Sequence, residues 1–423
     1  MSEHDPTTTE VVTKPRPRLG TGHDGDPRWR VTLAVMWVAQ LSSIMGFSFV
    51  MPFIPFFVRE LGVSEKMVPI WAGLTASGAG LSMSIMGPIW GWVADRHGRK
   101  LMVVRAMFGG CIVLGFMGLV RNVYQLLFLR VCQGTVTGTV AACVALVASV
   151  APRARLGFAL GLMQTAVFVG GSIGPYLGGI AAEQFGYRVP FGITAALLFV
   201  GGVLVVAGAK ERFTPPDPDL RAEHAPTRVL LRMPVIISLL GVFFMMNLSS
   251  SFVGPIFPLF VEQLVGAKQK AAAETGVLLA VTGIASAFAA VMVGRLSDRL
   301  GHKTVLVTCT ALTAMFCVPH FFAQTIAQLL LLRVLFGLAA GGMVPAMNAL
   351  VANVVPRSNI GQAYGFTTTA SSLGWATGPA VGGLAASAWG YRWPFVIMGG
   401  LLLLVALAQT KWITAGEKEQ EGL

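Results

Sequence analysis

The sequence predicts an all-α polytopic membrane protein, with twelve transmembrane helices in two six-helix halves around a central cavity. Three observations predict it. Stretches without Asp, Glu, Lys or Arg recur at 31–58, 67–94, 156–182, 189–209, 233–261 and 358–391. Each reaches the roughly 20 residues that a helix needs to cross a bilayer. Basic residues gather at alternate ends of the spans. The second half of the chain repeats the first at an almost constant offset. The composition agrees, with 54% hydrophobic and 12% charged residues against about a quarter charged in soluble domains. The stretches are too long, and too free of alternation, for the strands of a membrane barrel.

The elements follow in order. Residues 1–30 are polar and rich in Pro, Thr and Gly, and are expected to be a flexible cytoplasmic tail. Spans are expected near 31–58, 67–94, 101–120, 123–150, 156–182, 189–209, 233–261, 275–294, 304–322, 326–355, 358–388 and 393–410. The N-terminal half is thus 31–209 and the C-terminal half 233–410. The loop 210–232 carries Pro215, Pro216 and Pro218, which prevent a regular helix at its start. It reads as a cytoplasmic linker, and 411–423 as a second cytoplasmic tail. Of the 31 Lys and Arg residues, 22 fall on the side of the termini and seven on the other, with Arg130 and Arg333 inside spans. That bias predicts both termini in the cytoplasm. It also accounts for the net charge of +12 without a nucleic-acid partner. Cys111, Cys132, Cys143, Cys309 and Cys317 are scattered in apolar surroundings. Their spacing suggests neither a disulfide framework nor a metal site, and no cofactor is expected.

The repeat is internal to the chain. "GWVADRHGRK" (91–100) matches "GRLSDRLGHK" (294–303) at an offset of 203. Arg130 and Gly134 match Arg333 and Gly337, and Pro52 and Pro55 match Pro255 and Pro258, at the same offset. Gly161, Gly170, Gly174, Pro175, Gly178 and Gly179 match Gly365, Gly374, Gly378, Pro379, Gly382 and Gly383 at an offset of 204. "GYRVPF" (186–191) matches "GYRWPF" (390–395). Six spans repeated in six keep the same orientation. Such halves are related by an axis along the membrane normal, as in transporters that rock two halves about a central site.

These residues carry a resemblance. "GWVADRHGRK" resembles the signature loop between spans two and three of the major facilitator superfamily. "RVCQG" with Gly138 resembles the arginine motif of span four in that family. Gly161–Gly179 is similar to the span-five motif of its proton-coupled drug antiporters. "GFSFVMPFIPFFVRELGV" (46–63) resembles the first span of bacterial twelve-span multidrug efflux proteins. The resemblance covers about 31–410 and implies the major facilitator fold. It also implies a conformational latch at Gly91, Asp95, Arg96, Gly98, Arg99 and Lys100, echoed by Asp298 and Arg299, with His302 standing where the first copy has Arg99. Arg130 takes an implied part in proton coupling, and Gly161–Gly179 an implied part in antiport, meeting the other half when the cytoplasmic side closes.

The residues themselves add further expectations. Arg130 should face a polar cavity or pair with Gln133, because an unpaired arginine in a membrane is costly. Asp95 should pair with nearby basic residues or cap the third span. No Asp or Glu lies at the centre of a span, so the carboxylates that could serve the proton coupling implied by the resemblance, alongside Arg130, are Asp95, Glu60, Glu262 and Glu274 at span ends. His320 reads as an interfacial histidine. The prolines at 52, 55, 255 and 258 should kink spans one and seven. Ala166, Gly170, Gly174, Gly178 and Ala182 form a stripe of small residues at four-residue spacing, suited to close helix contact, with a local break at Pro175. The substrate cavity candidates are Gln40, Phe47, Gln164, Phe168, Phe243, Asn247, Phe252 and Trp375, an apolar and aromatic wall with a few polar points.

No phosphate-binding loop of the Walker kind is present, and no catalytic cluster of His, Asp and Glu occurs within a span. The resemblance implies secondary export of lipophilic or amphiphilic small molecules by alternating access, coupled to proton influx. The partners are that solute, protons and the lipid bilayer, and a monomer in the bacterial inner membrane is expected. Uptake of a small metabolite on the same fold is the alternative.

Overall fold

The computed structural model describes residues 29–152, 155–211, 234–266, 270–354 and 360–421. The side chains of Asp95, Arg295 and Asp298 lie outside the described set, as do the expected N-terminal tail and most of the linker.

Residues 29–208 form eight helices: α1 (Trp29–Val50), α2 (Ile54–Glu60), α3 (Val68–His97), α4 (Arg99–Met117), α5 (Val123–Val136), α6 (Thr139–Val150), α7 (Leu156–Phe185) and α8 (Val189–Gly208). The second half repeats the series: α9 (Pro234–Phe252), α10 (Phe257–Val265), α11 (Ala271–Leu300), α12 (His302–Cys317), α13 (Ile326–Gly341), α14 (Met343–Val354), α15 (Ile360–Trp389) and α16 (Trp393–Glu421). A 3-10 turn, Val318–Phe322, follows α12. Among the described residues, ten segments are long and apolar enough to cross a membrane. The 30-residue helices α3 and α15 run beside them, each about 45 Å long at 1.5 Å per residue. α16 passes the expected end of its span, because Glu417, Lys418, Glu419 and Gln420 are strong helix formers.

Spans one, four, seven and ten are each two helices rather than one. α1 and α2 separate at Met51–Phe53, and α9 and α10 at Val253–Ile256. Pro55 and Pro258 open the following helices, where a missing N–H leaves no bond unmade. The expected proline kinks are therefore full breaks. Pro175 behaves otherwise. It lies inside the unbroken 30-residue α7, which corrects the expected local break.

The repeat extends to helix caps. Asn122 accepts from Gln125 N at 2.9 Å to open α5. Thr325, its equivalent, accepts from Gln328 N at 3.2 Å to open α13 and completes a capping box. Each half has its own apolar core. The first centres on residues such as Met36, Phe53, Phe57, Met107 and Phe191. The second centres on Phe257, Phe260, Leu306, Phe395 and Leu402. Tyr391 packs against both.

Candidate functional site

The two halves touch mainly along two helix pairs, α3 with α15 and α7 with α11, with a smaller contact between α2 and α10. All four helices contribute small residues that admit backbone-to-backbone approach. Gly73 lies against Pro379 and Ala380, and Gly383 against Pro69 and Ile70. Gly276 lies against Pro175 and Tyr176, and Gly179 against Ala272 and Ala273. Neutral hydrogen bonds join in: Ala380 N donates to Ser77 Oγ at 2.9 Å, and Ser387 Oγ to Lys66 O at 2.8 Å. The Glu183 carboxylate accepts from Ala273 N at 2.9 Å. The contacts reach inward as far as Gly80 on Ala376 and Gly283 on Ser172. All of them lie toward the end of the bundle that holds Glu60 and Glu262. Toward the other end, a Cβ added at Gly87, Gly91, Gly157, Gly161 or Gly365 would meet nothing within 4 Å. Among the described residues, the close contacts between the halves thus gather at one end, and these glycines of the other end have open space beside them.

Arg59 and Glu262 meet at the closed end. The guanidinium donates from both terminal nitrogens to the two carboxylate oxygens, each at 2.8 Å. Arg59 also pairs with Glu65 at 2.9 Å within its own half. Burial alone would lower the Arg59 pKa, but the hydrogen bond and charge of Glu262, helped by Glu65, hold it above its ordinary value. Glu60 faces a different partner, Arg188, at 3.4 Å. Glu274 lies at the start of α11 in the electrostatic range of Glu183. Glu183, the first acid after the charge-free span five, went unread in the sequence; it sits on the inter-half contact.

In this state the small-residue stripe of α7 faces its own half. Its spaced glycines pack on span one of their own half. Gly170 meets Ile44 and Met45, Gly174 meets Ser48 and Met45, and Gly178 meets the Phe49 backbone. The second copy does the same: Gly374 and Gly378 lie on Leu248, and Gly382 on Phe252. The inter-half face of α7 is the adjacent one, carrying Ser172, Pro175 and Gly179. Residues at four-residue spacing share one face, and here that face binds span one. Gly161 is exposed, and a Cβ added there would meet nothing within 4 Å.

Between α3 and α4 the chain turns at Gly98, whose φ of +95° suits glycine alone. Its equivalent Gly301 has φ +86°. Arg96 stacks on Trp92 at 3.9 Å. Arg99 Nη1 donates to Ala145 O at 3.0 Å. At the start of α4, Arg99 N and Lys100 N donate to the Glu211 carboxylate at 2.9 and 2.8 Å, and the expected pairing or capping by Asp95 falls on a side chain outside the described residues. Lys100 Nζ answers by donating to Val206 O at 2.9 Å and Ala209 O at 2.6 Å. Gly91 and Arg299 are exposed.

The two membrane arginines differ. Arg130 is buried and donates to Gln133 Oε1 at 3.0 Å, as its sequence suggested. Arg333 has Phe336 where Arg130 has Gln133, and its guanidinium lies 3.6 Å from the centre of the Phe257 ring. His320, expected at the interface, is 1% exposed to solvent and stacked on Phe395 with ring centres 5.0 Å apart, and the 3-10 turn that carries it packs against α16.

Of the cavity candidates, Phe47 and Trp375 meet across the halves with ring centres 5.9 Å apart. Phe168 is half-buried and Gln164 exposed. Asn247 bonds the carbonyl of Phe243 in its own helix. Three candidates leave the wall. Phe243 and Phe252 belong to the second core, and Gln40 is fully buried with its amide on Met163 O at 2.9 Å. Periodicity cannot separate a core face from a cavity face when both are apolar.

Comparisons with known proteins agree with this geometry. The family model described as Major Facilitator Superfamily matches residues 36–272 and again 239–423. Multidrug resistance protein MdtG of Citrobacter koseri is 33% identical over 381 residues, covering 90% of this chain and 94% of the relative. MdtG of Salmonella arizonae is 32% identical over the same shares. Among solved structures, a bacterial homolog of the human lysosomal transporter Spinster superposes with a TM-score of 0.78 at 15% identity, covering 92% of this chain and 97% of that one. The nucleoside transporter NupG gives 0.77 at 13% identity, with 90% and 99% covered. On the strength of the doubled family match, the near full-length relatives and the repeated helices, the chain belongs to the major facilitator superfamily.

Proposed function

We propose that the protein is a secondary exporter of lipophilic or amphiphilic small molecules, working by alternating access and driven by proton influx across the bacterial inner membrane. The carrying observation is the contact pattern between the halves, which among the described residues is close through α3–α15 and α7–α11 at one end and open at the other. A central solute needs two such states of opposite sense. With the Lys and Arg bias placing both termini in the cytoplasm, the parted end faces inward, so this state receives solute from the cell. The resemblance to multidrug resistance proteins over 90% of the chain supports export. The apolar residues around Phe47 and Trp375 suit an amphiphile, and an aromatic face also attracts a cationic ring.

Proton coupling would fall to a carboxylate at a span end, with Glu60, Asp95, Glu262 and Glu274 as candidates and Arg130 as the buried charge that answers it. The latch role of the Gly91–Lys100 loop and its echo at Asp298 and Arg299 belongs to this reading, as do the domain limits at 31–209 and 233–410. The test is purified protein in liposomes with an imposed pH gradient and labelled amphiphiles. Gradient-driven accumulation with proton movement supports antiport. Movement only down the solute's own gradient sinks it. Single Gln or Asn variants of the four acids then locate the carrier, and retention of pH-driven transport in all four rejects a side-chain carboxylate.

A further inference from the structure

We propose that Arg59 and Glu262 are the latch of the closed end, an ion pair that holds this state and must part before the cavity opens there. The pair rests on the repeat. Arg59 and Glu262 are equivalent positions, separated by 203 residues, the offset that relates the halves. Equivalent residues approach one another only near the axis that relates the two halves. A position that meets its own counterpart must be self-complementary or carry opposite charges in its two copies. Two arginines or two glutamates there would repel. This chain has one of each.

The geometry is that of a strong pair. Both hydrogen bonds are 2.8 Å and bidentate, the fork arrangement that fits guanidinium to carboxylate. The side chains are 22% and 13% exposed, so water screens them less than it screens a surface pair. Phe56 lies beneath Arg59, 5.8 Å from its guanidinium carbon. Leu259 from α10 packs into the first half's core, and Tyr391 reaches both cores. Among the inter-half hydrogen bonds below the pair, only the one to the Glu183 carboxylate carries a charge.

The pair therefore exists in one state and has no counterpart once the mouth opens and both groups hydrate. A contact with different free energy in two states shifts their balance. Arg59–Glu262 thus sets how often the closed mouth opens. Glu65, 61% exposed, steadies Arg59 from the same half and takes no part in joining the halves.

The inference rests on the alternating-access reading, and its test is separable from it. Probe pairs across the mouth at the closed end, and a second set across the parted end, report distance distributions in lipid nanodiscs. Glu262→Gln is expected to raise the ratio of open to closed mouths at least about fivefold while the fold stays intact by thermal midpoint. Glu65→Gln alone should leave the distribution unchanged. The exchange Arg59→Glu with Glu262→Arg, made in the Glu65→Gln background so that like charges do not meet, should restore the closed population. An unchanged mouth in Glu262→Gln overturns the latch, and so does an exchange that fails to restore closure, because the shift then came from lost packing. Failure of the transport reading would show instead as no solute movement by the unaltered protein in liposomes.

Discussion

Gln133 holds Arg130 inside the membrane: the guanidinium donates to its side-chain oxygen across 3.0 Å, with both residues buried. In the second half the same position is Phe336, and Arg333 rests on aromatic rings instead, 3.6 Å over Phe257. One arginine keeps a polar companion and the other is sealed by stacking. Lysine reproduces the charge of either but not the planar fork or the stack. Arg130→Lys is expected to abolish pH-driven transport in liposomes with the thermal midpoint little changed. Arg333→Lys should do the reverse, lowering the midpoint while the surviving protein still transports. Equal effects of the two variants on transport would remove the distinction.

Gln133→Leu tests the same pair from its other side. It strands a buried guanidinium, and losing a hydrogen bond to a charged group costs about 1.5–3 kcal/mol. The expected result is a lower thermal midpoint and a large loss of transport rate, both partly recovered by Gln133→Asn.

The glycines of α7 separate assembly from motion. A Cβ at Gly174 would lie 2.9 Å from Ser48 Cβ and 3.1 Å from Met45 O, inside the first half. At Gly161 it would meet nothing within 4 Å. Gly174→Leu should therefore damage folding, since overpacking costs about 1–3 kcal/mol or more, and should reduce the yield of monodisperse protein. Gly161→Leu should fold normally and transport slowly, because the leucine blocks closure of the parted end. Normal transport by Gly161→Leu would remove that end of the motif from the working cycle.

Much of this arrangement was legible in the sequence, and the reasons differ by element. Charge-free runs gave the spans because a bilayer imposes length and polarity directly. The repeat gave the relation between the halves, and the spacing of Arg130 and Gln133 gave their pairing, because residues three apart on a helix are neighbours. The partner of the glycine stripe was not legible. Small residues at four-residue spacing say that a helix approaches, not which one, and Gly178 and Gly179 are consecutive yet face different halves. Phe243 and Phe252 were misplaced for a related reason: an aromatic residue looks the same in a core as on a cavity wall. Glu211 was hidden in a loop whose destination no local pattern encodes. Arg59 with Glu262 could have been found, since the offset of 203 already placed an Arg opposite a Glu.

Phe47 and Trp375 make an aromatic contact between the halves, with ring centres 5.9 Å apart. An amphiphile entering there would replace or join that contact. Trp375→Ala is expected to raise KM for planar aromatic solutes several-fold and to spare kcat for flexible aliphatic ones. Trp375→Phe should recover most of the loss. A uniform fall in kcat for every solute would mean that Trp375 serves the movement of the halves, not recognition.

Glu211 gives the last prediction. It lies at the start of the linker, just after α8, and places its two oxygens on the first N–H groups of α4, at 2.9 and 2.8 Å. Those groups have no partner within the helix, and a carboxylate there also meets the positive end of the helix dipole. Lys100 returns the contact, reaching the last carbonyls of α8 at Val206 and Ala209. The turn at Gly98 and the end of span six are thus tied in both directions, so the signature loop is anchored to its own half at the parted end. Glu211→Ala frees both N–H groups and should cost about 0.5–2 kcal/mol, as loss of a helix cap does. Glu211→Gln keeps one acceptor and removes the charge, and should fall between. The measurement is the thermal midpoint of the purified protein alongside the initial rate of pH-driven transport. If the anchor only stabilises, the rate per folded molecule stays constant across the series. If it also positions the loop for closure, the rate falls faster than the folded fraction, in the order Glu211→Gln, then Glu211→Ala. The second outcome is expected, because Arg96 and Arg99 flank the anchored turn and move with it.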